Sequence, residues 1–175
     1  SKIVIVKMTA QEELMNIEMK PLSQADLPHA TEIWNYIVAE ANSFPGDQLL
    51  CEAEVAAMFA QQTETVCAHC GDEVVGLYIL HPNNIGRCGH IANASFGVKP
   101  SYRGQGIGRL LVEDCLKRSR DNGFIGLQFN AVVATNYPAI TLYLKLGFKI
   151  IGTIKDGYRL KDNRYVDTLI FLKSW

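Results

Sequence analysis

The residues best spaced for chemistry lie in Val98-Lys-Pro100-Ser-Tyr-Arg103-Gly104-Gln105-Gly106-Ile107-Gly108-Arg109. Here a strand-like run ends, three glycines permit a tight turn, and a helical pattern begins at Ile107. A turn of this kind aims backbone N–H groups at one point and adds the positive end of a helix macrodipole. Together these suit an anion such as a pyrophosphate. Arg103 and Arg109 add positive charge. By itself the glycine triplet also fits a plain connection between strand and helix. A dinucleotide fingerprint fails in both registers, because Arg109 and Leu111 stand where its last glycine belongs. A P-loop fails because no Lys-Ser or Lys-Thr pair follows the glycines.

Other reactive side chains are weaker candidates. Cys88 and Cys115 lack the neighbouring histidine and third group that activate a thiol nucleophile, so both are read as structural. Cys67-Ala-His-Cys70 and Cys88-Gly-His90 offer metal-ligand types, but strand periodicity puts Cys67 and Cys70 on opposite faces, and no metal site is expected. Histidine is a side chain able to serve as a general base near neutral pH, and His90 is a secondary candidate for one. No carboxylate lies between His90 and Val98. Asn93 and Asn130 cannot take a proton, yet carboxamides orient amines, carboxylates or water. Tyr143 is a phenolic donor or a core aromatic four residues after Ala139, and Asn136 suits a helix cap.

The elements that must hold these residues follow from pattern and punctuation. The 175 residues are 48% hydrophobic and 20% charged, enough apolar material for one packed core. A net charge of -1 invites neither nucleic acid nor an anionic membrane surface. No apolar run approaches the roughly 20 residues that span a bilayer, and residues 1 to 7 lack a cleavage signal. Five irregularly spaced cysteines fit reduced thiols, so a cytoplasmic location is expected. Residues 1 to 16 read as an N-terminal extension or extra edge strand, with a strand-like Lys2 to Val6 and a polar Thr9 to Glu13. Then come a strand from Ile17 to Leu22, a helix capped by Ser23 or Asp26 with Ile33, Trp34, Ile37 and Val38 inward, and a helix from Cys51 to Gln62. Strands at Thr65 to His69 and Val74 to Leu80 form a hairpin, and a loop from His81 to Gly89 leads to a strand from His90 to Val98. A helix from Ile107 to Arg120 carries Leu110, Leu111, Cys115 and Leu116 inward. A buried strand from Ile125 to Val133, a helix from Pro138 to Leu146, and strands at Phe148 to Tyr158 and Arg164 to Lys173 complete the order. That order predicts a mixed α/β sheet flanked by helices.

The loop from Val98 to Gly108 reads V-x-P-x-x-R-G-x-G-I-G and resembles the acyl-CoA loop of the GNAT acetyltransferases. Asn136 to Phe148, with Ala139, Tyr143 and Gly147, resembles that superfamily's second signature. The likeness covers residues 17 to 175, which are read as a single GNAT domain with a mostly antiparallel central sheet. It implies an N-acetyltransferase using acetyl-CoA, with the pyrophosphate held by Arg103, Gly104, Gln105, Gly106, Ile107 and Gly108. It further implies pantetheine pairing with the backbones of Phe96 and Val98, a cofactor bond from Asn136, and direct attack by the amine without an acyl-enzyme. Tyr143 would then protonate the departing thiolate, a strand N–H would hold the oxyanion, and proton loss from the amine would run through water. Phe44 lies in a loop that often closes over substrate, and relatives often form homodimers through their C-terminal strands. A narrower likeness, in His90 to Asn93, Phe129-Asn130, Asn136 and Gly152 to Asp167, is to yeast acetyltransferases that detoxify azetidine-2-carboxylate. It implies that Asn93 and Asn130 handle a small amino or imino acid. Gly157, Tyr158, Tyr165 and Asp167 either shape this choice or simply form the final hairpin. Acetylation of a protein, peptide or polyamine, or a non-catalytic acyl-CoA-binding domain, are the competing expectations.

Overall fold

A computed structural model describes Ile3–Val6 and residues 15–175. The polar stretch from Thr9 to Glu13 lies outside the described residues. Two compact units are present. The first contains the chain up to Trp34, Leu50–Leu80 and Ser95–Lys117, and the second contains Asn35–Leu49, His81–Ala94 and Arg118–Trp175.

In the first unit, β1 (Ile3–Val6), β2 (Met15–Pro21), β3 (Glu64–Cys70) and β4 (Glu73–Pro82) pair in that order, all antiparallel. The β3–β4 hairpin turns at Gly71, whose φ of +60° is the left-handed conformation that glycine reaches without penalty. Val66 to His69 and Val74 to Leu80 are buried in unbroken runs, the pattern of strands covered on both faces. Helix α1 (Leu27–Glu40) starts in this unit, α2 (Glu52–Ala60) buries Val55 and Phe59, and Trp34 meets Phe59 edge-on at 5.8 Å. Helix α3 (Ile107–Asp121) buries Ile107, Leu111, Val112, Cys115 and Leu116, while Leu110 is half-buried. Gly76 on β4 allows this approach, because a Cβ there would lie 3.2 Å from Leu111 Cδ1 and 3.0 Å from the Gly97 carbonyl.

One polar pair is set into this core. His69 Nε2 lies 2.9 Å from Asp26 Oδ1, both residues are buried, and the Ser23 N–H donates to Asp26 Oδ2 at 2.9 Å. Ser23 thus caps a single 3₁₀ turn, Gln24–Asp26, which runs straight into α1. Burial alone would raise the Asp26 carboxyl, but the bonds from His69 and Ser23 outweigh it and hold the group below the ordinary carboxylate value.

In the second unit, β5 (Ile91–Val98) supplies its first half, Ile91–Ala94, and pairs in parallel with β6 (Gly126–Val133). Strand β8 (Tyr165–Ser174) lies antiparallel to β6 and also to β7 (Lys149–Arg159), so the order is β5-β6-β8-β7. Across the described residues the sheet pairing is therefore mixed, as the element order predicts, and mostly antiparallel, as the family resemblance implies. Helix α4 (Tyr137–Lys145) brings Tyr143 to an aromatic cluster, with centroids 4.5 Å from Phe129 and 5.5 Å from Phe171, while Phe129 stacks on Phe148 at 4.9 Å. The buried strand expected from Ile125 begins one residue later, and Ile125 is 51% exposed. Its backbone still bonds on both sides, the N–H to the His90 carbonyl at 3.0 Å and the carbonyl to the Trp175 N–H at 3.2 Å, and at Gly126 the strands approach closely enough that a Cβ would meet the Lys173 carbonyl at 3.2 Å. The loop expected from His81 to Gly89 is shorter than predicted, since β4 runs on to Pro82 and Gly86–Cys88 form a 3₁₀ turn.

Because the folded Asp26 carboxyl titrates below its unfolded value, its ionised form stabilises the fold above the ordinary carboxylate range, and that contribution disappears as pH falls through the lower folded value. Asp26→Asn should cost about 1.5–3 kcal/mol at pH 7, the range for a hydrogen bond to a charged group. Urea unfolding of both proteins should show the difference shrinking below about pH 4.

Candidate active site

The glycine loop lies wholly in the first unit. After Val98, the Lys99 N–H donates to the Val75 carbonyl at 2.8 Å, and Pro100–Tyr102 make one 3₁₀ turn. Gly104 and Gly106 then take φ values of +75° and +84°, which reverse the chain into α3. The first bond of that helix runs from the Leu110 N–H to the Gly106 carbonyl at 3.3 Å, so the N–H groups of Ile107, Gly108 and Arg109 precede any intrahelical acceptor. A Cβ at Gly104 would point into open space, leaving the backbone approachable. Arg103 is exposed beside it, whereas Arg109 turns back to Glu113 at 2.9 Å.

Glu73 at the start of β4 secures the base of this loop. It accepts from Lys99 Nζ at 2.6 Å and from the Tyr102 hydroxyl at 2.5 Å. Those two bonds hold its carboxyl below the ordinary value, and the Tyr102 phenol is pushed up to about 12, chiefly by its bond to Glu73. Along a strand, successive residues direct their backbone groups to opposite edges. Since Lys99 faces β4, Phe96 and Val98 direct theirs to the other edge. The Phe96 ring lies 5.7 Å from Tyr78, whose hydroxyl donates to Asp114 at 2.7 Å.

In the second unit, β5 and β6 pair only at Ile91–Gly126 and Ala92–Leu127. The Asn83 N–H donates to the Ile91 carbonyl at 2.8 Å, so by the same alternation Ala94 faces the β6 side, just beyond the last pair. Its N–H is taken by Asn93 Oδ1 at 2.7 Å. Asn93 Nδ2 in turn donates to Asn83 Oδ1 at 3.1 Å, and Asn130 Nδ2 donates to the same oxygen at 2.7 Å. The two predicted asparagines thus come together through a third that sequence reasoning passed over as a loop residue. Gln128 Nε2 completes the group by donating to Asn130 Oδ1 at 2.9 Å. Asn136 caps α4, accepting from the Ala139 N–H at 3.4 Å, and Tyr143 is half-buried on that helix.

Phe44 is buried at the wall of a cavity of about 490 Å³, which Val38, Leu49, Tyr158 and Arg159 also line. The Tyr158 hydroxyl donates to the Phe44 carbonyl at 2.7 Å, and burial raises its phenol above the ordinary value. A bulge in β7 aims Tyr158 this way. Register shifts between Ile154 and Tyr158, Asp156 takes φ +53°, and its N–H is caught by Asp167 Oδ1 at 2.9 Å. The non-glycine residues with positive φ among those described are Ala41, Asp156 and Asn163; Ala41 and Asn163 line the cavity, and Asp156 adjoins Gly157, which does too. The remaining expected candidates are scattered. His90 and Cys88 are exposed and Cys115 is buried. The Cys67 thiol is pushed up to about 12 by burial and by the Asp26 carboxylate, and the nearby His69 is committed to Asp26.

A strand that ends in two left-handed glycines at a helix N-terminus, in a mixed and mostly antiparallel sheet, defines an α/β domain with a preformed anion site. The Acetyltransferase (GNAT) family matches residues 34–148, more than half of the chain, and the chain belongs to that family. It is 33% identical over 155 residues to N-acetyltransferase aca1 of Schizosaccharomyces pombe, covering 78% of this chain and 74% of that protein. A GCN5-related N-acetyltransferase from Kribbella flavida superposes with a TM-score of 0.85 at 29% identity, over 91% of this chain and 98% of the other. A phosphinothricin acetyltransferase from Sinorhizobium meliloti, solved in complex with AcCoA, shares the fold with a TM-score of 0.83 at 24% identity, over 90% and 88% of the two chains. The chain is an acetyl-CoA-dependent N-acetyltransferase. The fully exposed backbone at Gly104 and the N-terminus of α3 fit a pyrophosphate, which the cofactor supplies together with the acetyl thioester.

A Cβ on Gly157 would overlap Thr168 Oγ1 and lie 3.2 Å from two Ile154 carbons. Gly157→Ala should therefore lower stability by about 1–3 kcal/mol, the range for overpacking, measured by denaturant unfolding. Partial protease digestion should also cut the Asn42 to Leu49 loop faster in the variant, since Tyr158 would no longer be held on Phe44.

Proposed function

We propose that this enzyme acetylates the amine of a small amino or imino acid, with a proline analogue such as azetidine-2-carboxylate as the first candidate, by direct attack. The observation that carries the reading is the meeting of Asn93 and Asn130, from two different strands, on one oxygen of Asn83. Three carboxamides gathered where β5 parts from β6 form a compact polar group scaled to a small acceptor. Phe44 is assigned to substrate in this reading as part of a separate cavity, and the backbone strain gathered around that cavity supports a functional role there.

In this reading, Arg103 and the backbone of Gly104 to Gly108 bind the pyrophosphate, and the backbones of Phe96 and Val98 pair with the pantetheine. Asn136 holds the same arm as well as capping α4. Tyr143 supplies the proton that the departing sulfur needs, and the aromatic rings around it fix its orientation. Asn93 and Asn130 orient the amine, whose proton leaves through water. Tyr143→Phe keeps the aromatic packing while removing the hydroxyl, so kcat should fall by about 10²-fold or more with CoA affinity unchanged. Thiol release assayed over amino acids, proline analogues, polyamines and N-terminal peptides tests both parts. A full rate in Tyr143→Phe would remove the acid, and turnover confined to peptides or polyamines would overturn the small-molecule reading.

The assembly we propose is a homodimer formed through β7. That strand ends the β5-β6-β8-β7 order and exposes Ile150, Ile151 and Ile154 by 44%, 54% and 49%. An exposed apolar edge strand is a template for pairing with another chain. Light scattering should give twice the chain mass, and Ile151→Lys should return it to one chain. A monomeric wild type would sink the proposal. We further propose a single catalytic domain over residues 17–175 with residues 1–16 as an added edge, in keeping with the β1–β2 pairing. The compartment proposed is the cytoplasm, where the five cysteines, all free in this structure, stay reduced.

A further inference from the structure

We propose that Asn83 is a specificity-determining residue that fixes Asn93 and Asn130 as a pair of N–H donors facing the acceptor substrate, so that the site selects a free carboxylate beside the amine. The inference rests on the reading of Asn93 and Asn130 as substrate residues and adds a third residue and a polarity to it.

A carboxamide has one accepting oxygen and two N–H donors, and which end faces a ligand depends on what holds the other. Here each asparagine oxygen of the cluster already accepts a hydrogen bond. Asn93 Oδ1 accepts from the Ala94 N–H at 2.7 Å, and Asn130 Oδ1 accepts from Gln128 at 2.9 Å. Asn83 Oδ1 accepts from both Asn93 and Asn130, at 3.1 and 2.7 Å. Each of the two substrate asparagines has therefore given one N–H to Asn83 and keeps a second. Among the described residues, no partner takes that second N–H.

Rotating either amide by 180° would set oxygen against oxygen at Asn83, and for Asn93 would also give up the bond from the Ala94 N–H. The backbone of Asn83 is held at β5, because its N–H is bonded to the Ile91 carbonyl. Two remaining donors, one from each strand, match the two oxygens of a carboxylate and mismatch a second amine or a positively charged group. A polyamine would bring only donors to donors. An amino or imino acid supplies the complementary acceptor.

The test measures kcat and KM for azetidine-2-carboxylate and for azetidine-2-carboxamide at saturating acetyl-CoA. The proteins are wild type, Asn83→Ala, the Asn93→Ala/Asn130→Ala pair, and all three changes together. Wild type should prefer the carboxylate. Asn83→Ala should raise its KM about tenfold or more, as loss of a hydrogen bond to a charged group does, while CoA affinity and thermal midpoint stay as in wild type. In the Asn93→Ala/Asn130→Ala background, adding Asn83→Ala should change nothing further, because the residue acts through those two.

Asn83→Asp gives an independent check, since it keeps an acceptor for both amides but adds charge. It should retain the wild-type KM for the carboxamide and lose affinity for the carboxylate. The inference is overturned if Asn83→Ala leaves the carboxylate KM unchanged while the Asn93/Asn130 pair raises it, or if its effect persists undiminished in that background. If the Asn93/Asn130 pair itself leaves KM unchanged, or wild type turns over neither compound, the substrate reading has failed first and this inference falls with it.

Discussion

A parallel ladder that stops after two residue pairs is the constraint on which the second unit depends. Past Ala92 and Leu127, β5 and β6 no longer satisfy each other, and a buried backbone group without a partner costs about 1–3 kcal/mol. Beyond the break, β6 stays hydrogen-bonded on its other edge to β8, through pairs that run to Val132–Leu169 and Val133–Thr168. Strand β5 answers with a side chain, Asn93, folded onto the N–H of its own successor. The edges opened in this way can pair with an extended ligand, and of the asparagines gathered at the fork Asn93 is the one that satisfies a backbone group. A structural role at Asn93 therefore does not compete with the substrate role proposed for it.

In the first unit the corresponding constraint is the change of direction between β5 and α3. Gly104 and Gly106 occupy the left-handed region, where any other L-residue costs about 1–2 kcal/mol. Glu73 holds the near side of the turn through Lys99 and Tyr102, and Leu111 seats the helix against β4 at Gly76. The loop is shaped before any ligand arrives. Anion binding then needs little reordering, which is how a preorganised site gains affinity.

Much of this was legible in the residues. The three glycines with Arg103 placed the loop, and apolar periodicity placed every helix and strand to within a few positions. What was not legible shares a physical character. Asn83 stood in a run of turn-forming residues, where asparagine is expected for conformational reasons alone, and only the fold carries it back to strands ten and forty-seven positions away. The Asp26–His69 pair likewise joins residues forty-three apart. The bulge at Asp156–Gly157 depends on an aspartate from the opposing strand catching one N–H, and Asp-Gly in sequence reads as an ordinary hairpin turn. Ile125 reads as buried strand because it is β-branched and apolar, yet it sits at the end of the ladder, where its side chain is exposed while its backbone is still bonded on both sides.

The bond from Asn93 to the Ala94 N–H also bears on how acceptor preference can drift within such a scaffold. Any replacement at that position must still offer an acceptor within reach of the next backbone N–H, which leaves aspartate, serine and threonine and excludes apolar side chains. Asn130 is exposed and has no such duty to the backbone. Of the two positions, the one on β6 is therefore the freer to change without loss to the fold. A designer seeking a new amine would do well to vary the same strand first.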